Sequence, residues 1–140
     1  MAAKDILCPL LVQVGLTFVL LFWMAFARVS AARRGEVEMK NIALSGDGWP
    51  ERIRKISNSF QNQFELPVLF YLLVVLALVT NSVDKTLAGL AWGFVASRVL
   101  HALIHTTSNT VLHRFYAYLA GVILLVAMWG LFAVRLAGAV

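Results

Sequence analysis

Glu65 and Arg98 are charged side chains set inside apolar stretches, and each has polar company at helical spacing. Asn58, Asn62 and Glu65 fall at i, i+4, i+7, while Arg98, His101 and His105 fall at i, i+3, i+7, so each set forms one stripe on its helix. Arg114 and Tyr118 make a third pair at i, i+4. An ionisable group at membrane depth costs about 2.5 to 3.5 kcal/mol on insertion scales and is kept where it faces a bundle interior or a hydrated cavity. A polar site between helices is therefore the first expectation. Guanidinium suits carboxylates, a carboxylate suits an ammonium group, and a cation with a phenol suits an oxyanion or thiolate. Together they fit an anionic, zwitterionic, peptide-like ligand.

The elements that must carry these side chains are membrane helices. A chain of 140 residues with 61% hydrophobic content and a mean hydropathy of +0.81 is too apolar for an ordinary soluble two-layer domain. It reads as one small integral membrane domain over 1–140. Ile6 to Ala27, Leu66 to Thr80 with a polar helical extension before it, Thr86 to Ile104, and Tyr116 to Val134 match the length needed to cross about 30 Å of hydrocarbon. Their patterning lacks the alternation of a barrel, which leaves four transmembrane helices. The second helix is expected to start at Pro50 and run to about Thr80, with Pro67 kinking it beside Glu65. Short turns, Asn81 to Lys85 and Thr107 to Thr110, imply antiparallel neighbours. Ile6 to Ala27 is longer than a signal-peptide core and ends in Arg28, Arg33 and Arg34, so it reads as an uncleaved first span.

Charge sets the expected orientation. Arg28, Arg33, Arg34, Lys40, Arg52, Arg54, Lys55 and Arg114 belong to one side, and only Lys4, Lys85 and Arg135 to the other. The positive-inside rule places the first side in the cytoplasm and both termini outside it. Both polar stripes then lie in the cytoplasmic half of the membrane. The net charge of +5 gathers at membrane ends, where it serves orientation and anionic headgroups, so no nucleic-acid partner is expected. Cys8, the single cysteine, cannot form an internal disulfide and has no metal-ligand spacing.

Several plainer readings stand beside the functional one. Glu65 and Arg98 are equally suited to a buried ion pair that fixes helix register. His101 and His105 lack the intervening Glu of a zinc-protease helix and sit on one face, unlike paired haem ligands, so no metal is expected. His113 and Tyr116 suit the membrane interface, and Gly89, Gly93, Gly121 and Gly130 suit close helix packing. A proton-coupled exporter would need a carboxylate free to titrate, whereas Arg98 offers Glu65 a countercharge. Glutathione carries every group the polar set would recognise. A polar lipid headgroup carries most of them.

Asn62-Gln63-Phe64-Glu65-Leu66-Pro67, Arg98-Val99-Leu100-His101, and Arg114 with Tyr118, in this order along a four-span chain, resemble the membrane-associated proteins in eicosanoid and glutathione metabolism, the MAPEG family. The run from Asn62 to Tyr71 is similar to bacterial members, which implies an inner membrane. The resemblance implies a left-handed four-helix bundle, a homotrimer, and glutathione as co-substrate bound between subunits. By motif, Asn62 and Glu65 would bind glutathione, Arg98 and His101 would line the same pocket, and Arg114 with Tyr118 would stabilise its thiolate; His105, on the face of Arg98 and His101, joins the binding set by spacing. The implied activity is conjugation or reduction of hydrophobic small-molecule electrophiles or lipid hydroperoxides at the bilayer. Gln61, His105 and Phe115 depart from the best-known enzymes of the family, which keeps open a non-catalytic bundle that binds a lipid or acts as a scaffold.

Overall fold

The computed structural model describes residues 3–138, and no strand occurs among them. The order is α1 (Lys4–Arg33), a short α2 (Met39–Ile42), a 3-10 turn (Gly46–Gly48), α3 (Glu51–Gln61), a second 3-10 turn (Asn62–Phe64), α4 (Leu66–Val79), α5 (Lys85–Thr106) and α6 (Val111–Gly138). Four stretches of the described residues are long and apolar enough to span a membrane: Lys4–Arg33, Glu51–Val79, Lys85–Thr106 and Val111–Gly138. The four expected spans are all present, with α1 and α6 longer at both ends than the sequence suggested.

Packing is most extensive between α5 and α6, and α1 lies against α3, α4 and α5. Phe70 of α4 and Phe94 of α5 stack with centroids 4.7 Å apart, within a core that also holds Ile6, Leu73, Val95 and Met128. A smaller cluster of Ala27, Ala31, Ile53 and Ile56 joins α1 to α3. Outward faces remain apolar, as in Phe18, Phe22 and Phe26 of α1, because lipid rather than water is their solvent.

Two tight turns hold the spans antiparallel. Each contains an asparagine at positive φ, Asn81 at 53° and Asn109 at 50°, a conformation that asparagine tolerates better than most residues. After α4, Ser82 N–H donates to the Ala77 carbonyl; after α5, Asn109 N–H donates to that of Ile104. Asp84 caps α5 by accepting from Leu87 N–H at 2.8 Å, and its two carboxylate oxygens receive Arg135 of α6 at 2.7 and 2.5 Å.

The hydrogen-bonded Arg135 guanidinium holds the Asp84 carboxyl below its ordinary range. A carboxylate stabilised in the folded state adds stability above its unfolded pKa, and that contribution vanishes as pH falls through the folded value. Asp84→Asn keeps a competent cap but loses the ion pair. Its thermal midpoint is expected below wild type at neutral pH, with the gap closing as the solution is acidified below about pH 4. The gap is modest because the pair is partly solvated. A gap that stayed constant with pH would show that the ion pair contributes nothing.

The second span differs from expectation. It is not one kinked helix: α3 ends at Gln61, a 3-10 turn follows, and Glu65, at φ −98° and ψ −106°, separates that turn from α4. Pro67 falls in the first turn of α4, where its missing N–H costs least, so the chain restarts a helix there rather than bending through it. Helical spacing across Asn58, Asn62 and Glu65 therefore stops at Asn62. Pro50 likewise stands just before the first helical residue, Glu51.

Candidate functional site

The break, the late turns of α5 and the first turns of α6 meet at the end of the bundle that bears the long loop. Asn62, His101, His105, Val111, Arg114, Phe115 and Tyr118 line a cleft of about 220 Å³ there. Five of the seven residues expected from the sequence thus border one cleft. The other two are its neighbours: Arg98 lies behind it, and Glu65 at its edge.

Arg98 is the largest fully buried side chain. Its Nη2 donates to the Asn62 carbonyl over a long 3.5 Å, and its guanidinium carbon stands 5.5 Å from the centre of the Tyr118 ring. Its Nε and Nη1 are buried with no partner among the described residues. A guanidinium with idle donors in a low-dielectric setting is primed for an anion. Space for its stem comes from Gly121 of α6, where a Cβ would lie 2.9 Å from Ser97 Oγ and 3.6 Å from Arg98 Cδ. Ser97 cannot swing freely away, because its hydroxyl donates to the Phe94 carbonyl at 2.6 Å. Gly121→Ala is expected to cost about 1 to 3 kcal/mol through overpacking. Thermal unfolding in detergent checks this, and Ser97→Ala in the same chain should recover most of the loss; an unaltered midpoint in Gly121→Ala would refute the tight fit.

No Glu65–Arg98 ion pair forms within 4.0 Å among the described residues, contrary to the register-fixing alternative. Glu65 is exposed, and the Tyr118 hydroxyl donates to its Oε2 at 3.5 Å, so the phenol stands between acid and guanidinium. The helix break accounts for this, since it turns Glu65 away from the stripe that an unbroken helix would aim at α5. Asn62 remains half-buried, with its amide donating to the Asn58 carbonyl at 3.0 Å.

His101 and His105 are both buried, and their rings meet edge to face with centroids 5.6 Å apart. His101 also lies 5.7 Å from the Tyr118 ring. Nδ1 of each is buried without a partner among the described residues. Arg114, half-buried at the cleft wall, donates from Nη1 to Asn109 Oδ1 at 2.7 Å. Asn109 was legible only as a turn residue, because five positions from Arg114 is not a helical neighbour spacing. Its positive φ and short side chain bring it back to the arginine.

A second, larger polar cleft of about 450 Å³ lies on the other side of Asn109, bordered by Arg28, Asp47, Arg54, Asn58 and Gln61. Arg28, expected only to set orientation, donates to Ser57 Oγ at 2.9 Å and lies over the Trp49 ring at 5.2 Å. That cleft lacks Arg98, His101 and Tyr118. The smaller one is the better candidate for chemistry.

An integral, multi-pass, all-helical membrane protein with a cationic, partly unpaired polar site between its helices is thus defined. Its sequence matches the profile described as the MAPEG family over residues 6–134, and the chain belongs to that family. No curated protein and no solved structure matches it.

Proposed function

We propose that this protein is a glutathione-transferase-like enzyme of the membrane, conjugating hydrophobic electrophiles or reducing lipid hydroperoxides with glutathione. The observation that carries the proposal is Arg98, fully buried yet with two guanidinium nitrogens unpartnered beside a cleft. The residues fit glutathione by their chemistry. Arg98 offers donors to a carboxylate, Asn62 an amide to its peptide backbone, and Glu65 an acceptor to its ammonium. His101 and His105 contribute ring nitrogens near the same wall, and His105 stands as a further binding residue. Glutathione supplies a thiolate nucleophile when bound. Arg114, oriented by Asn109, and Tyr118 favour the charged form of that thiol and so take the catalytic role.

A homotrimer is part of the proposal. Glu65 is exposed on a single chain although its neighbours in sequence are membrane-spanning, and a carboxylate left facing lipid is costly. A neighbouring copy would cover it and complete the wall. The basic loop side faces the cytoplasm of an inner membrane in this reading, with both termini on the opposite side. Purified protein should show glutathione-dependent turnover of a lipophilic aryl halide or of a lipid hydroperoxide. Failure with both substrates, in protein that remains trimeric, would defeat the enzymatic reading.

A further inference from the structure

The buried stripe of α1 consists of Ile6, Pro9, Gln13, Leu20, Ala27 and Ala31, and Gln13 is its one polar member. Gln13 is 0% and Gln63 1% exposed. The Gln13 amide nitrogen donates to Gln63 Oε1 at 2.8 Å, and Gln63 Nε2 in turn donates to the Ser59 carbonyl at 3.1 Å. An amide in the apolar face of a spanning helix requires such a partner, because an unpaired one is penalised in a low-dielectric interior.

Gln63 occupies the middle of the 3-10 turn, between Asn62, which lines the cleft, and Glu65, which meets Tyr118. Backbone bonding weakens where that turn gives way to α4. Glu65 N–H reaches the Asn62 carbonyl at 3.4 Å, and Pro67 has no N–H to return to Gln63. Among the side-chain bonds that seat the turn, Tyr118 to Glu65 and Arg98 to the Asn62 carbonyl are long at 3.5 Å and the Asn62 amide reaches only back to α3, whereas Gln63 makes two shorter ones, to the Ser59 carbonyl of α3 and across to Gln13 of α1.

We infer that Gln13 is a positioning residue: through Gln63 it holds the broken turn in the register that presents Asn62 and Glu65 to the cleft. Gln13 touches no part of the cleft itself. The register claim stands on the hydrogen bonds alone, while its consequence for ligand binding rests on the glutathione reading above.

The test separates positioning from bulk stability. Gln13→Met strands Gln63 Oε1 in the interior and is expected to destabilise the protein. Gln13→Met with Gln63→Met strands no acceptor in that pair and fills similar volume with an adaptable side chain, so folding should be largely recovered. Amide hydrogen exchange across residues 62–66 of the double variant should nevertheless rise about tenfold, with α5 and α6 unchanged, and glutathione affinity should fall about tenfold by calorimetry. Exchange across 62–66 equal to wild type in a folded double variant overturns the inference, as does a double variant that never recovers folding. Wild-type protein that binds no glutathione would defeat the functional reading only. The role of Gln13 is then decided by exchange in folded Gln13→Met, which keeps the Gln63 tie to Ser59: a rise confined to 62–66 supports it, and no rise there overturns it.

Discussion

Replacing Arg114 with alanine is expected to abolish the thiolate absorbance of glutathione bound to the protein and to slow conjugation about 100- to 1000-fold, the usual cost of removing one preorganised donor from a developing or stabilised anion. The arginine is suited to this role by its tether. Asn109 Oδ1 accepts from Nη1 at 2.7 Å, which fixes the guanidinium against the cleft while leaving its other nitrogens available. A thiol loses its proton more easily beside a fixed cation, and the neighbouring phenol of Tyr118, held by Glu65 Oε2 only over a long 3.5 Å, would turn its one proton to the thiolate once an ammonium group engages the acid. Affinity for glutathione should change much less than rate, because the thiol is a small part of the ligand's contacts. Asn109→Ala should reproduce part of the loss. An Arg114→Ala variant with an intact thiolate signal would remove Arg114 from the chemistry.

Arg98→Met is expected to weaken glutathione binding by about 2 to 4 kcal/mol, or roughly 30- to 1000-fold in Kd, since a buried charged partner of a carboxylate would be lost. Its effect on the ligand-free protein should have the opposite sign. Arg98 is fully buried, makes one long hydrogen bond and has no ion pair within 4.0 Å among the described residues, so its desolvation is poorly offset. Methionine of similar reach should raise the thermal midpoint of the unliganded protein. Higher stability with lost binding is the signature of a group kept for its ligand. If the variant instead had a lowered midpoint while still binding glutathione, Arg98 would be a structural pin.

Much of this arrangement is legible in the sequence. Apolar run lengths located four spans because lipid tolerates only backbone that satisfies itself, and the i, i+3, i+7 spacing of Arg98, His101 and His105 survives because α5 is an unbroken helix. All three side chains are buried on one face. The same logic failed for Glu65. Pro67 signalled a disturbance, but periodicity cannot tell a kink from a restart, and the 3-10 turn before α4 redirects the carboxylate toward Tyr118 instead of Arg98.

Contacts between distant positions were the least accessible. Gln13 and Gln63 stand 50 residues apart, and an amide within an apolar run is the only local hint that α1 meets something polar. Arg28 looked like an orientation charge because nothing in its own segment announces Ser57 or the Trp49 ring. Asn109 was recognisable as a turn former and not as the residue that aims Arg114, since the reach of its side chain depends on the positive φ of that turn.

Calorimetric titration of the detergent-solubilised protein with glutathione bears most directly on the claim that these polar groups form one ligand site. Saturable binding by wild type, lost in Arg98→Met and retained in Arg114→Ala, is the predicted result. Heats no larger than dilution for folded wild-type protein would contradict it.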